Sequence, residues 1–300
     1  MSASLTVAAT VEDAVGALAG GARPVAGGTD LVVGARQGKA PLPEQLIAIH
    51  RLDELDRIDA TAGALRVGAL TTHGRLAADP VVRDRLTALA DASAIIGSHA
   101  TRAVGTIGGN VMNASPAMET GGPLLCFDAS VTLRSASGAR TVAIADLLAG
   151  PGETTAAPGE LLEALEVPFP PAGAGSCYLR LEYRRQMEIA VVGATAVLAF
   201  DGERVTHARV AITALAPTIR RVPEAEAALL GTDAGAHAAE AAAQAAVAAS
   251  QPIADLRASI EYRNAMAAVI TRRAIEVAAA RARGERVAIP ASPELHGGMK

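Results

Sequence analysis

Two double glycines, each set between apolar residues and hydrogen-bonding side chains, constrain this chain more than any other feature. "VAGGTDLVVG" covers residues 25–34 and "GTIGGNVMNASPAMET" covers 105–120. Glycine turns through φ > 0 without a Cβ clash, so a Gly-Gly at a strand end lets successive N–H groups face one point. Backbone nests of this kind bind anions, phosphate above all. Thr29 and Thr106 add hydroxyls and Asn110 adds an amide. Asp30 opens the next segment, where it can cap backbone N–H groups instead of meeting a ligand. Neither stretch matches GxGxxG or GxxxxGK[ST], so those two phosphate-binding motifs lack support. Taken singly, each is as readily a tight turn. Taken together, they point to a ligand gripped from two sides, with a pyrophosphate the natural fit.

The flanking segments give the loops their supports. In residues 1–55, "TVEDAVGALAGG" reads as a short amphipathic helix, with Thr10 as N-cap, acids in the first turn and a Gly-Gly stop. "ARPVAGG" reads as a buried strand entering a turn, "DLVVGARQGK" as a second helix and "EQLIAIHRL" as a second strand. In residues 56–172, "ALRVGAL" is a strand and "TTHGRLAAD" a capped helix start. "PVVRDRLTALADASAII" has helical spacing behind Pro80. "ASVTLRSASGARTVAI" alternates about Ser137-Gly138 as a hairpin does, and "LLEALEVP" ends the region as a strand. Residues 173–285 predict a β-meander with a turn at Asp201-Gly202. Helices follow around 223–249 and 258–283, and a loose tail covers 286–300. In the last helix Ile260, Met266, Val269, Ile270, Ile275 and Val277 lie at helical spacing, with basic residues late, where the helix dipole favours them.

Composition removes whole classes of function. At net charge −4 the chain has no broad basic surface for nucleic acid, and with aromatics at 2% and no Trp it has little to stack bases on. Only Cys126 and Cys177 are present, too few for an iron–sulfur cluster held by this chain alone, and they read as ordinary thiols. The opening "MSASLTVAATVEDAV" lacks the charged and apolar runs of a signal peptide, and no apolar run spans a membrane. Cytoplasmic placement is the expectation. The sequence holds no HExxH or GxSxG and no metal constellation.

"AGGTDLVVGAR" and "VGTIGGNVMNASPAMET" resemble the two FAD-binding loops in the flavoprotein subunit of molybdenum hydroxylases, the family of xanthine dehydrogenase, aldehyde oxidoreductase and carbon monoxide dehydrogenase. The likeness runs on through "LRVGALTTHGRL", "GELLEALEVPFP", "YLRLEYRRQMEIAVVGATAV" and "QPIADLRASIEYRNAMAAVITRRAI". It thus covers nearly the whole chain in order.

The resemblance implies an α+β fold with a two-subdomain FAD-binding unit of the vanillyl-alcohol-oxidase type. A C-terminal domain of antiparallel sheet packed with helices completes it. It implies that Val25, Ala26, Gly27, Gly28, Thr29, Asp30 and Leu31 wrap the FAD pyrophosphate. In the second loop it implies a site of Thr106, Ile107, Gly108, Gly109, Asn110 and Met112 against pyrophosphate and ribityl. Glu119 stands where the family usually has Asp and is implied to accept from ribose or ribityl hydroxyls. Leu161 and Leu162 match positions packed near the flavin. Arg180 stands where many relatives carry Lys, near the isoalloxazine, with a solvated strand position as the alternative. Ala103 departs from a frequent Asn. "AGGTDL" is more like the xanthine and aldehyde types than the carbon monoxide type. His73 reads as a helix cap rather than part of the adenine side, and no His or Cys is expected to bind flavin covalently. Glu182, Arg184, Arg185 and Glu188 read as an ion-paired surface, with a flavin mouth or subunit contact as the alternative.

The function so implied is electron transfer. Partner chains are implied: a large subunit with the molybdopterin cofactor and a small one with [2Fe–2S] clusters, assembled as a dimer of heterotrimers. Electrons pass from the clusters through FAD to an outside acceptor. Two other readings stand beside it: a free-standing FAD oxidoreductase of related fold, and an assembly subunit without flavin.

Overall fold

Thr10 accepts from the Asp13 amide while the Asp13 carboxylate accepts from the Thr10 amide, a capping box that starts α1 (Val11–Ala19). The computed structural model describes residues 4–38 and 40–292. Its first layer is a parallel sheet of β1 (Ser4–Val7), β2 (Arg23–Val25) and β3 (Gln45–Ala48), in the order β1-β3-β2. Val11, Ala14, Val15 and Leu18 of α1 pack with Ile47 and Ile49 into one core. The sequence predicts a buried strand at β2. Instead it is an edge strand, paired only to β3 and partly exposed, which brings the glycine loop after it to the surface. That loop runs into α2 (Leu31–Arg36).

A five-stranded antiparallel sheet forms the second layer. Its strands are β4 (Ile58–Ala60), β5 (Ala64–Gly68), β6 (Ser130–Ser135) and β7 (Gly138–Ala143), then β10 (Leu161–Pro168), which follows the small hairpin β8 (Leu148–Gly150) and β9 (Glu153–Thr154). The order is β4-β5-β10-β6-β7. The β6–β7 turn lies one residue before the predicted place: Ser135 pairs with Gly138, so Ala136 and Ser137 make the corner.

Between β5 and β6 run α3 (His73–Ala78), α4 (Pro80–Arg85), α5 (Thr87–Ile95), α6 (His99–Val104), α7 (Ile107–Asn113) and α8 (Gly121–Cys126). α9 (Ile144–Leu147) follows β7. The single helical pattern at 80–96 is broken at Leu86. The break lets the Thr87 hydroxyl bond Ser176 at 2.7 Å and the Ala88 amide donate to the Ser176 hydroxyl at 3.0 Å, contacts that local spacing does not show.

The third layer is the meander β11 (Gly175–Leu181), β12 (Val192–Asp201), β13 (Arg204–Thr213) and β14 (Arg220–Arg221). Asp201 pairs with Arg204, placing the turn at Gly202-Glu203, again one residue from the predicted site. The helix expected over 223–249 is two, α10 (Pro223–Leu229) and α11 (Ala236–Ala248). Gly231 at φ +75 breaks it so that Gly231 and Thr232 can pair with Val205.

Ser259 caps α12 (Ile260–Ala282), whose Ala267, Ile270, Ala274, Ile275 and Ala278 face the sheet. Ile260, placed on that face by spacing, is exposed at the helix start. The tail expected to be loose is held as far as it is described: Arg281 donates to Ala288 O and the Ala291 amide to Asp91 Oδ1. Residues 293–300 lie outside the described residues. Among the described residues no helix is long and apolar enough to cross a membrane.

Candidate cofactor site

The first glycine loop leaves β2 at Val25 and reaches α2 at Leu31. Gly28 sits at φ +67, a conformation that a residue with Cβ enters only at a cost. Gly27 is required for a different reason: a Cβ there would lie 2.0 Å from Val104 O, so the loop rests directly on the last turn of α6. Thr29 touches the same place, with its hydroxyl 3.5 Å from where a Gly105 side chain would stand. Among the described residues, the amides of Ala26, Gly27, Gly28 and Thr29 donate to no backbone carbonyl. Four successive donors on a partly exposed glycine turn are the kind of groups that bind an anion when they face one point. Asp30, at the α2 N-cap, makes no side-chain cap bond to that helix, contrary to the capping role the sequence offered it.

The second loop is built differently from its sequence reading. It is the start of α7, with Thr106 as N-cap accepting from Gly109 N at 3.1 Å. The Ile107 amide donates to Thr71 O, the Gly108 amide to Ala69 O and the Asn110 amide to Thr106 O. The amides from Ile107 to Asn110 are therefore taken within the protein, and the Gly-Gly pair does not form a second nest. Ile107 and Gly108 are buried; a Cβ on Gly108 would approach Ala69 O to 2.6 Å, so this glycine allows α7 to pack against the chain after β5. Gly109 is exposed, and Met112 is half-buried against the sheet core. What this loop can offer a ligand is side-chain chemistry. The Thr106 hydroxyl keeps its own proton to donate. Asn110 Oδ1 accepts from Thr120 at 2.6 Å, which turns the amide NH2 group to other partners.

Glu119 and Arg180 find each other. Arg180 on β11 is buried, and its guanidinium donates to Glu119 at 2.6 Å, to Ile95 O at 3.0 Å and to Glu188 O at 3.2 Å, with Glu182 as a further carboxylate partner. Burial works against the Arg180 charge, and the acids around it, Glu119 first, outweigh that and hold it. Burial pushes the Glu119 carboxyl up, with Arg180 pulling the other way. The solvated-strand alternative for Arg180 is thus wrong: it is a clamped cation, already neutralised. Leu161 and Leu162 are both buried, the first in the core under α1 and the second in the core of the five-stranded sheet.

The remaining polar candidates sort by contact. Thr72, not His73, caps α3. His73 is buried with Nδ1 lacking a partner, and burial together with the Arg102 charge pushes its pKa down to about 4. His99 is exposed at the start of α6. In the charged run, Glu182 binds Arg180 and Arg184 pairs with Glu188 at 3.1 Å. Cys126 and Cys177 are free and buried, and burial pushes both thiols up. Reasoning from sequence missed Arg102, a buried arginine in α6 beside the first loop, although "HATRAVGTIGGN" displays it.

The chain matches two family models in order: the FAD binding domain in molybdopterin dehydrogenase over residues 1–170, and the CO dehydrogenase flavoprotein C-terminal domain over residues 178–278. It is 34% identical to the carbon monoxide dehydrogenase medium chain of Afipia carboxidovorans, over 87% of this chain and 90% of that one. It is 31% identical to the xanthine dehydrogenase FAD-binding subunit of Escherichia coli O157:H7, over 94% of this chain and 98% of that one. A solved carbon monoxide dehydrogenase from Hydrogenophaga pseudoflava, lacking the Mo-pyranopterin moiety of its molybdenum cofactor, superimposes with a TM-score of 0.89 at 33% identity. That match covers 94% of this chain and 98% of that one.

Proposed function

The chain belongs to the FAD-binding subunits of the molybdenum hydroxylases, and from that premise we propose that it carries electrons from a partner's iron–sulfur clusters through FAD to an outside acceptor. It is an oxidoreductase subunit with an FAD-binding domain. The partners in this reading are a large molybdopterin-binding chain and a small [2Fe–2S] chain, joined as a dimer of heterotrimers.

The observation that carries the reading is the row of amides from Ala26 to Thr29 that, among the described residues, donate to no backbone carbonyl, on a loop that rests on α6. Those amides suit the two negative charges of a diphosphate. Thr106 and the Asn110 amide group supply donors from the facing loop. Glu119, with one oxygen on Arg180, has a second to accept from a hydroxyl. Bound FAD supplies acceptance and release of electrons, one or two at a time; the chain's part is to hold it and set its electrostatic surroundings. Identities of 34% and 31% to carbon monoxide and xanthine enzymes do not choose between substrates, which in this arrangement are selected in another chain.

The test is to purify the full chain, record its visible spectrum and identify any released flavin. Co-expression with iron–sulfur and molybdenum subunits follows, with rapid-mixing measurement of flavin reduction by the reduced partner. A yellow chain that assembles and is reduced this way fits the reading. A yellow chain that stays alone and turns over a substrate of its own fits the free-standing oxidoreductase, and a colourless one fits the assembly subunit.

A further inference from the structure

We propose that Arg102 is the cation this site holds ready for an anionic part of the bound dinucleotide. The inference rests on the FAD reading above and adds a residue to it.

Arg102 lies in α6, the helix on which the first glycine loop rests. Two residues further on, Val104 O meets Gly27, and Gly105 meets Thr29. The residue is 9% exposed. A guanidinium has five N–H donors, yet among the described residues this one makes a single hydrogen bond, to Ile96 O at 2.8 Å, and no ion pair. The stem is buried, and the donors without a protein partner are left open to water or to a ligand. Glu119 and Glu182 do not serve: both bind Arg180, which holds the adjoining carbonyl, Ile95 O. Two arginines thus share one turn of chain, and the carboxylates compensate only one. Burial and the charge of Arg180 both work against the Arg102 charge. His73, the other basic group near it, is kept neutral and does not replace it.

The same surroundings supply the remaining parts of an anion site. The amides of Ala26 to Thr29, which among the described residues donate to no backbone carbonyl, lie on the loop that the backbone of α6 supports, so donors and cation are carried by one packed unit. The shared chemistry is an anion on FAD. It is either the diphosphate, present in every state, or the flavin ring once reduced.

The experiment uses the full chain, flavin-free and FAD-loaded, as wild type, Arg102→Met and Arg102→Lys. Arg102→Met removes one hydrogen bond, to Ile96 O, and a cation without an ion-pair partner among the described residues, so the flavin-free protein keeps a Tm close to wild type, whereas a structural arginine would lower it. If the anion is the diphosphate, Arg102→Met weakens oxidised FAD and ADP alike, by about tenfold for one charge-assisted contact, and Arg102→Lys recovers part of it. If the anion is the reduced ring, oxidised FAD and ADP bind as in wild type and the flavin midpoint potential of Arg102→Met falls. FAD affinity, ADP affinity and potential all equal to wild type overturn the proposal. A stability loss that Lys restores without any change in affinity or potential also overturns it, and assigns Arg102 to the Ile96 carbonyl. A wild-type chain that takes up no FAD removes the premise as well.

Discussion

Arg180 on β11 and Glu119, in the turn before α8, are joined at 2.6 Å, so one buried ion pair ties the C-terminal sheet to the segment that follows the second glycine loop. The family resemblance implies a separate contact to the cofactor for each. Their pairing makes the alignment of the two halves of the molecule part of the construction of the site. Asp91 does the same work further away, accepting from Arg281, from the Tyr178 amide and from the Ala291 amide.

Arg180→Met is expected to destabilise the fold by about 3–5 kcal/mol, because it strands Glu119 as a buried charge without its partner. Arg180→Lys restores only part of this, since an ammonium cannot reproduce a guanidinium bound to two carboxylates and two carbonyls at once. Urea unfolding of the flavin-free variants gives the number. A stability change below ~1 kcal/mol for Arg180→Met would contradict the clamp.

The two glycines of the first loop are expected to differ. Gly27→Ala drives a Cβ into Val104 O and must push the loop off α6, with loss of FAD and of folding stability. Gly28→Ala meets nothing closer than 3.6 Å and bears only the strain of φ +67, roughly 1–2 kcal/mol. Flavin content after purification and Tm of both variants are the readouts. Equal behaviour would show that φ, and not the contact with α6, governs the loop.

His73 makes stability depend on pH in a definite direction. Its folded pKa of about 4 lies below the ordinary histidine value of 6.5, so below pH 6.5 the unfolded chain binds more protons than the folded one. The contribution is therefore complete above that value and is lost as pH falls toward 4, by about 3 kcal/mol in all. Replacing His73 with Gln should flatten this segment of the curve. Unfolding at pH 7, 6 and 5 for both proteins measures it, and parallel curves would count against the assignment.

Tyr178 is expected to gain stability on losing its hydroxyl. The side chain is fully buried and, among the described residues, its Oη has no hydrogen-bond partner, beneath Gly193 in the β12 backbone. An unsatisfied buried donor costs about 1–3 kcal/mol, so Tyr178→Phe should raise the Tm. A fall in Tm instead would place an internal water on that hydroxyl.

Local sequence determined the elements and the first loop. Thr10 announces a helix start because a cap satisfies amides only a few residues away, and Pro80 announces another because its fixed φ and missing N–H suit the first helical position. The double glycine at 27–28 announces a turn because it needs φ > 0 at Gly28. Tertiary structure decided the rest, because the deciding partners are distant in the chain. Leu86 breaks a helix so that Thr87 and Ala88 can meet Ser176. Gly108 serves packing because Ala69 O lies against it, and so the second glycine pair begins a helix where its sequence resembles a nest. The sequence does not separate the two arginines: Arg102 and Arg180 differ in the carboxylates around them, and carboxylates from residues 119 and 182 reach only the latter once β11 has packed beside α5 and α8. Charge compensation is a property of three-dimensional neighbours, and it is what distinguishes these two arginines.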